Sequence, residues 1–167
     1  MGLDARITTQ ITGNYTNPLD LETPASPLAY SVQTDFATGA GAGQADTRWS
    51  DTRTLAASGT ENLDLAGTLV GAFGTALTFA RIKAVYFRAA PGNTNDVQVT
   101  RPAANGVPLF LAASDGIAIP PGGWFSWGAP TAAGVLVTPA TGDLITVTNS
   151  AGTTGVTYDV IIIGASS

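Results

Sequence analysis

The chain has 167 residues and a net charge of −5, with 44% hydrophobic and only 11% charged residues. This length is enough for one domain with its own core, and the composition argues against disorder because disordered chains are typically charge-rich and apolar-poor. The absence of cysteine and histidine excludes thiol nucleophiles, Ser-His-Asp triads and the usual transition-metal sites. We therefore predict no cofactor, no metal site and no catalytic residue.

The charge distribution also limits the partners. Lys83 is the only lysine and the arginines are scattered, so no basic stripe can neutralise phosphates or hold anionic lipids. Residues 1–15 lack the cationic start and apolar run of a signal peptide, and no stretch approaches the roughly 20 apolar residues that span a bilayer. We expect binding neither to nucleic acid nor to a membrane.

Residues 1–45 differ in composition from the rest of the chain. A short β-like start, "ARITTQIT", precedes a segment interrupted by three prolines, each of which removes a backbone donor and favours extended neighbours. Residues 39–43 then alternate glycine and alanine, which is typical of a flexible joint. A flexible joint is favoured over a dinucleotide-binding loop, because such a loop needs a helix after it and no helical pattern follows. The sequence predicts an extended Pro-rich N-terminal arm over 1–45 and a separate domain over 46–167.

From Asp46 onward, short apolar runs alternate with turn signals. These signals fall at 91–93, 105–106, 115–116, 120–123, 141–143 and 150–155. Such spacing is typical of an all-β sandwich or barrel. Runs such as "DVQVT", "VPLFLA" and "DLITVT" alternate apolar and polar residues, as half-buried strands do. We predict eight to ten strands in an all-β, jelly-roll-like β-sandwich.

Two longer runs carry more specific expectations. The run over 76–90 is rich in Phe, Val, Tyr and Ile, which favours one long strand with a bulge near Arg81 over a helix. In the final run, Tyr158, Val160 and Ile162 share one face, while Ile161 and Ile163 end the other. Because this strand becomes apolar on both sides, we expect it to be central or to meet another subunit.

The aromatic cluster follows a Pro-Pro-Gly-Gly turn at 120–123. On a strand, Trp124 and Ser126 point one way and Phe125 and Trp127 the other. One face of this strand is expected in the core, and the other meets a sugar ring or another subunit. Burial of these aromatics in the core or in a subunit interface is the favoured interpretation, because large aromatic side chains mostly lie there.

Two alternatives involve chemistry at carboxylates. Asp46 with Asp51, or Asp143 with Asp159, could flank a glycosidic bond, which requires a cleft and two separated pKa values. The segment "NTND" at 93–96 clusters oxygen ligands but lacks the spacing of a calcium loop. Turn formation explains these residues more simply, and the sequence favours a non-enzyme.

A resemblance rests on the order of several motifs. "DTRTLAASGTENLDLAGTLVGAFG" is followed by "FARIKAVYF", "IPPGGWFSWGAP", "GDLITVTN" and "YDVIIIG". This order, from Asp46 onward, resembles small structural proteins of tailed phages, most of all the capsid decoration, or cement, proteins. The resemblance implies a virion protein on the outer capsid surface, made in the host cytoplasm, that stabilises the shell as a trimer.

The resemblance also implies partners and surfaces. The major capsid protein and further copies of the chain are the expected partners. Subunit or partner contacts are expected at Trp124, Phe125, Trp127, Ile161 and Ile163. The arm is expected to contact the capsid through Pro18, Leu19, Leu21, Pro24, Pro27, Leu28 and Tyr30. The alternative is a trimeric tail-fibre or spike module that binds host glycan through Trp124 or Trp127; a small glycan-active enzyme is a third, weaker one.

Overall fold

The computed structural model describes residues 2–167, and this part of the chain contains strands and no helix. In chain order the strands are β1 (Ala5–Thr16), β2 (Ala25–Thr38), β3 (Gln44–Ala45), β4 (Thr47–Leu55), β5 (Thr60–Asp64), β6 (Arg81–Ala89), β7 (Val97–Thr100), β8 (Gly116–Ile119), β9 (Trp124–Gly128), β10 (Val135–Leu136), β11 (Leu144–Asn149) and β12 (Val156–Ala165). The all-β prediction is confirmed.

Two antiparallel sheets form the body. One has four strands in the order β5-β11-β7-β8, and the other has five, with β12 between β4 and β6. On its other edge β6 pairs with β9 along Ala84–Arg88 and with β10 at Arg81 and Ile82. The final strand is therefore central, which explains why its inner face is apolar along its whole length.

The two sheets share one hydrophobic core. It contains Tyr158, Val160 and Ile162 from β12, together with Val97 from β7 and Val147 from β11, all 0% exposed. These residues alternate with exposed or half-buried ones along each strand, as expected when one side of a sheet is buried. Burial of this shared layer holds the two sheets together.

The turn at 120–123 connects the two sheets. β8 belongs to the four-stranded sheet and β9 to the five-stranded one, and the Gly123 amide donates to the Pro120 carbonyl at 2.8 Å. Gly122 has a φ of +76° after Pro121, the arrangement of a type II turn. The chain needs glycine there because a side chain is strained at that φ.

Two runs differ from their predicted structure. The run over 76–90 is a strand only over Arg81–Ala89, and its bulge lies at Lys83, where β12 pairs Ile163 with Ala84 but Gly164 with Ile82. "VPLFLA", at 107–112, is not a strand; its Val107 enters the core, whereas Leu111 is 99% exposed. Alternation alone does not identify a strand there, because an apolar loop residue can fill the core without a ladder.

Residues 5–38 form a long hairpin in place of a single extended chain. β1 and β2 pair antiparallel over their whole registered length, from Ala5 with Phe36 to Thr16 with Ala25. β2 then pairs with the short β3 in parallel. The prolines lie where a hairpin tolerates them: Pro18 and Pro24 are in the connection, and Pro27 is near the strand end.

Candidate interaction surface

The hairpin has one apolar and one polar face. Residues that oppose each other across an antiparallel pair share a face, and faces alternate along each strand. The register therefore puts these residues on one face: Ala5, Ile7, Thr9, Ile11, Gly13, Tyr15, Ser26, Leu28, Tyr30, Val32, Thr34 and Phe36. The opposite face carries Arg6, Thr8, Gln10, Thr12, Asn14, Ser31, Gln33 and Asp35 among its polar residues. The apolar set is what a strand pair needs in order to pack against another surface.

The polar face is held by a charged cluster near its base. The Arg6 Nε donates to Asp35 at 2.6 Å, and the Gln33 amide donates to the other oxygen of the same carboxylate at 2.8 Å. Hydrogen bonding to Arg6 lowers the pKa of Asp35, and the same contact raises the pKa of Arg6. Both side chains are solvent-exposed, so this cluster marks the solvent side of the hairpin.

The base of the apolar face packs on the body. Phe36 is 1% exposed and joins Ala45, Ala84 and Ile163 in a second core cluster, against which Ile7 also packs. Ile163 thus contacts the hairpin of its own chain. The apolar outer face at this end of β12 is used within the subunit.

The glycine-rich segment at 39–43 is hydrogen-bonded to the body. The Gly43 amide donates to the Pro130 carbonyl at 2.8 Å, and the Gln44 side chain accepts from the Gly41 amide at 2.9 Å. The Lys83 ammonium reaches the Gly41 carbonyl at 3.4 Å. These contacts position the root of the hairpin, and the function of the segment as a joint stays a prediction.

The distal half of the hairpin leaves its apolar face in solvent. Its large side chains are 44–79% exposed, and none belongs to either core cluster: Ile11, Tyr15, Leu28, Tyr30 and Val32. The connection between the strands adds Leu19 at 53% and Leu21 at 100% exposed. Of the residues expected to contact the capsid, Leu28 and Tyr30 lie on this apolar face, Pro27 lies on the opposite face, and Pro18, Leu19, Leu21 and Pro24 lie at the tip.

The five-stranded sheet presents a second candidate surface on the side away from the core. The register places its outward residues in three rows across the strands. They are Trp124-Arg88-Asp159-Thr52, then Ser126-Tyr86-Ile161-Ser50, then Gly128-Ala84-Ile163-Arg48. The hairpin base covers the middle of the third row, through Ala84 and Ile163. Its Ile7 and Thr8 also line a cavity with Tyr86, Ser126 and Ile161 of the second row.

The part of these rows that the hairpin leaves open combines apolar and charged groups. Trp124 is 69% and Ile161 is 38% exposed. A shallow groove of about 460 Å³ runs along this region, lined in part by Tyr86, Arg88 and Asp159. Among residues 2–167, neither Arg88 nor Arg48 forms a salt bridge or a side-chain hydrogen bond. These two arginines are cations without an internal partner.

The aromatic strand divides as its alternation suggests. Phe125 and Trp127 are partly buried and pack against the main core, and Phe125 stacks on Phe110 with ring centroids 6.0 Å apart. Trp124 and Ser126 lie on the exposed face. Contact of Trp124, Ile161 or Ile163 with another subunit stays a prediction, as does any such role for Phe125 and Trp127.

The candidate catalytic carboxylates have structural partners. Asp46 accepts hydrogen bonds from Ser166, and Asp51 pairs with Arg53 at 3.0 Å. Asp143 caps the Ala140 amide at 2.6 Å, and Asp159 accepts the Thr52 hydroxyl at 2.7 Å. Each contact stabilises a terminus, a turn or a neighbouring strand, so a structural role explains each of these carboxylates.

The "NTND" loop is also held by internal contacts. The Asn93 side chain donates to the Thr157 carbonyl and accepts from the Thr157 amide, both at 2.9 Å. The Asn95 amide donates to Asn149 at 3.1 Å and to the Thr154 carbonyl at 3.0 Å. Within residues 2–167, no group of three or more acidic side chains could hold a metal ion.

Sequence reasoning missed three residues that shape these surfaces: Phe36, Lys83 and Arg88. Phe36 could have been found, because Leu28, Tyr30, Val32 and Phe36 keep the period of two along β2. Lys83 gives no such indication, since a lysine in an apolar run normally reaches solvent. Arg88 becomes notable only once the register places it beside Trp124.

Comparison with protein-family models, with curated proteins and with solved structures found no match. In the part of the chain that the structure describes, no helix is long and apolar enough to cross a membrane. The surfaces themselves must therefore carry any functional conclusion.

Proposed function

We propose that this protein is a structural virion protein that decorates and stabilises the outer surface of a tailed-phage capsid. In this proposal the two sheets form a jelly-roll-like β-sandwich, and the chain assembles as an oligomer, most simply a trimer. The N-terminal hairpin contacts the capsid or neighbouring subunits. The motif order from Asp46 onward, with its resemblance to decoration proteins, suggests the setting.

The observation that carries the proposal is the unpartnered apolar face of the distal hairpin. An isolated two-stranded hairpin is marginal in water, and apolar residues such as Tyr15 at 79% exposure give it no packing within the chain. Ordering such a hairpin against the capsid or a neighbouring subunit suits a protein that covers a lattice, where many identical sites add avidity. The low charged fraction of 11% is consistent with a surface that partners cover.

Co-sedimentation with empty heads tests this function. The matched variant replaces residues 9–32 with Asn-Gly, so that a two-residue turn joins Thr8 to Gln33, which oppose each other. This variant keeps Ile7 and Phe36 at the base. We expect the full chain to sediment with heads and the shortened chain to stay in the supernatant; equal sedimentation of both, or of neither, contradicts the proposal.

A second candidate function is glycan binding by a tail-fibre or spike module. The observation that favours it is the 69% exposed Trp124, which lies across from Arg88 and in the same row as Asp159. An exposed indole beside charged donors and acceptors is suited to stack on a sugar ring. Loss of glycan-array binding on Trp124→Ala, with Val70→Ala at the 57% exposed Val70 as a surface control, would support this candidate; no binding by the unaltered chain would exclude it.

A further inference from the structure

The apolar face of the hairpin continues past the edge of its own subunit. Its base residues Ile7 and Phe36 already pack on the outer side of the five-stranded sheet, beside Ala84 and Ile163. Beyond Thr9 the same face goes on with large apolar residues, over the last seven residues of β1 or about 23 Å at roughly 3.3 Å each. The body of the same chain covers only the first third of this hairpin face, at its base.

The uncovered face is large enough for a specific interface. Full burial of an aromatic side chain removes roughly 150–250 Å² from water, so Tyr15 and Tyr30 with their three aliphatic neighbours can bury on the order of 500 Å². A receiving surface of similar size brings the total to on the order of 1,000 Å² per pair of copies, which reaches the roughly 1,000 Å² expected of a specific interface.

The outer side of the five-stranded sheet has the matching chemistry. It already receives the base of this hairpin face, and its remaining rows expose Trp124 and Ile161. Ile161 and the half-buried Tyr86 line the shallow groove. A neighbouring hairpin laid there would extend the same kind of contact that Ile163 and Phe36 make within one chain. The receiving surface is thus continuous with a contact that the fold already uses.

The charges of the two surfaces are also complementary. Between Thr9 and Thr34 the only charged residues are Asp20 and Glu22, both at the tip. The receiving sheet offers Arg88 and Arg48, which have no internal partner, whereas Asp51 is already paired with Arg53. The two arginines therefore attract an acidic tip to this side of the sheet. Asp159, which accepts a hydrogen bond from Thr52, is the one carboxylate there without an ion-pair partner that would repel it.

We propose that the distal hairpin of one copy docks, through its apolar face, on the outer side of the five-stranded sheet of a second copy. The occupant of the unpartnered face is thus another molecule of the same chain, and in a trimer each copy gives its hairpin to one neighbour and receives one from the other. This inference rests on the proposed function for its oligomeric state and adds the two surfaces that make the oligomer.

Matched charge variants test the hairpin face. Tyr30→Asp puts a charge on the apolar face, and Ser31→Asp puts the same charge one residue away on the polar face; both residues are exposed, so neither change disturbs a core. By light scattering we expect Ser31→Asp to keep the mass of the oligomer and Tyr30→Asp to give the mass of a single chain, 16.9 kDa. Equal masses for the two variants, or a monomeric unaltered chain, would overturn the inference.

Cross-linking tests the receiving surface, since the chain has no native cysteine. Leu28→Cys chains are mixed with Ser50→Cys chains and treated with a bis-maleimide, and Ala29→Cys, on the opposite hairpin face, serves as the control. We expect a covalent Leu28→Cys–Ser50→Cys pair and little product with Ala29→Cys. Products of Leu28→Cys with itself alone, or no product, would overturn the docking.

Head binding separates this inference from the proposed function. If the unaltered chain is monomeric in solution but sediments with heads, the inference fails and the proposed decoration of heads stands. If the chain exchanges hairpins but ignores heads, the inference stands and the function fails.

Discussion

At the residue scale, one polar cluster links the two sheets of the body. Tyr158 of β12 is 0% exposed, and its hydroxyl donates to Glu61 of β5 at 3.0 Å, while the Arg53 Nε of β4 donates to the same carboxylate at 2.7 Å. Burial, and then the Glu61 charge, raise the pKa of Tyr158 above its ordinary 10.0, and hydrogen bonding to Glu61 raises the pKa of Arg53. The folded state therefore favours the protonated, neutral phenol of Tyr158.

This shift predicts a pH dependence with a definite sign. Because the folded pKa of Tyr158 lies above the unfolded value of 10.0, its contribution to stability is complete below about pH 10 and is lost as the pH rises further. Up to about pH 11, we expect the phenolate absorbance of folded wild type and Tyr158→Phe to coincide. In denaturant the wild type should gain one more ionising phenol; an extra phenolate in the folded wild type would contradict the assignment.

At the scale of elements, β6 shows how a bulge changes a strand's function. The register shift opposite Ile163 and Gly164 places Lys83 among buried neighbours, and Lys83 is itself 0% exposed. Its ammonium donates to the carbonyls of Thr131 at 2.5 Å and Ala132 at 2.7 Å. Burial lowers the pKa of Lys83, and the carbonyls compensate for lost water, so the bulge fastens the 131–134 loop to the sheet.

Removing this cation should loosen the loop. Lys83→Met keeps the volume of the side chain but leaves the Thr131 and Ala132 carbonyls without their donor, at a cost of about 1–3 kcal/mol in the free energy of unfolding. Denaturant titration measures the loss, and hydrogen exchange should speed up in the segment at 129–137. The control is Arg81→Met, since Arg81 donates to the Ala133 carbonyl of the same loop from an exposed position. For this control we expect the free energy of unfolding to change by no more than about 0.5 kcal/mol. Equal losses in the two variants would refute a special contribution from Lys83.

At the scale of the whole molecule, the hairpin has a structural base and a free distal half. Phe36 is buried against Ile163 and Ala84, whereas Tyr15 and Tyr30 contact no core. The boundary between the parts lies near Thr9 and Thr34. Ala45 belongs to the same cluster as Phe36, and the division into an arm over 1–45 and a domain over 46–167 stays a prediction.

This division predicts two different stabilities for the isolated chain. Replacing residues 9–32 with Asn-Gly should leave the free energy of unfolding of a monomeric sample within about 0.5 kcal/mol of that of the unaltered chain, as for other surface changes. Phe36→Ala should cost about 3–5 kcal/mol because it opens a cavity at the base. Calorimetry at low protein concentration measures both; a large loss on shortening would mean that the distal half packs on its own body.

Several features of the fold were predictable from local patterns. Turn chemistry at 120–123 and the alternation of Tyr158, Val160 and Ile162 indicated β structure and the core side of the last strand. The composition pointed to covered surfaces, and the exposed alternation of Leu28, Tyr30 and Val32 was already present in the printed sequence. Prolines obscured it, since Pro18 and Pro24 indicate extended chain as readily as the connection of a hairpin.

What the sequence alone determined is the all-β class and the side of each strand that is apolar, because side-chain alternation is a local property of an extended backbone. Only the tertiary structure decided which apolar sides meet. The pairing of β1 with β2, the bulge that buries Lys83 and the rows that place Arg88 beside Trp124 all depend on contacts between residues far apart in the chain. Register sets those contacts, and a shift of one residue would turn each side chain to the other face.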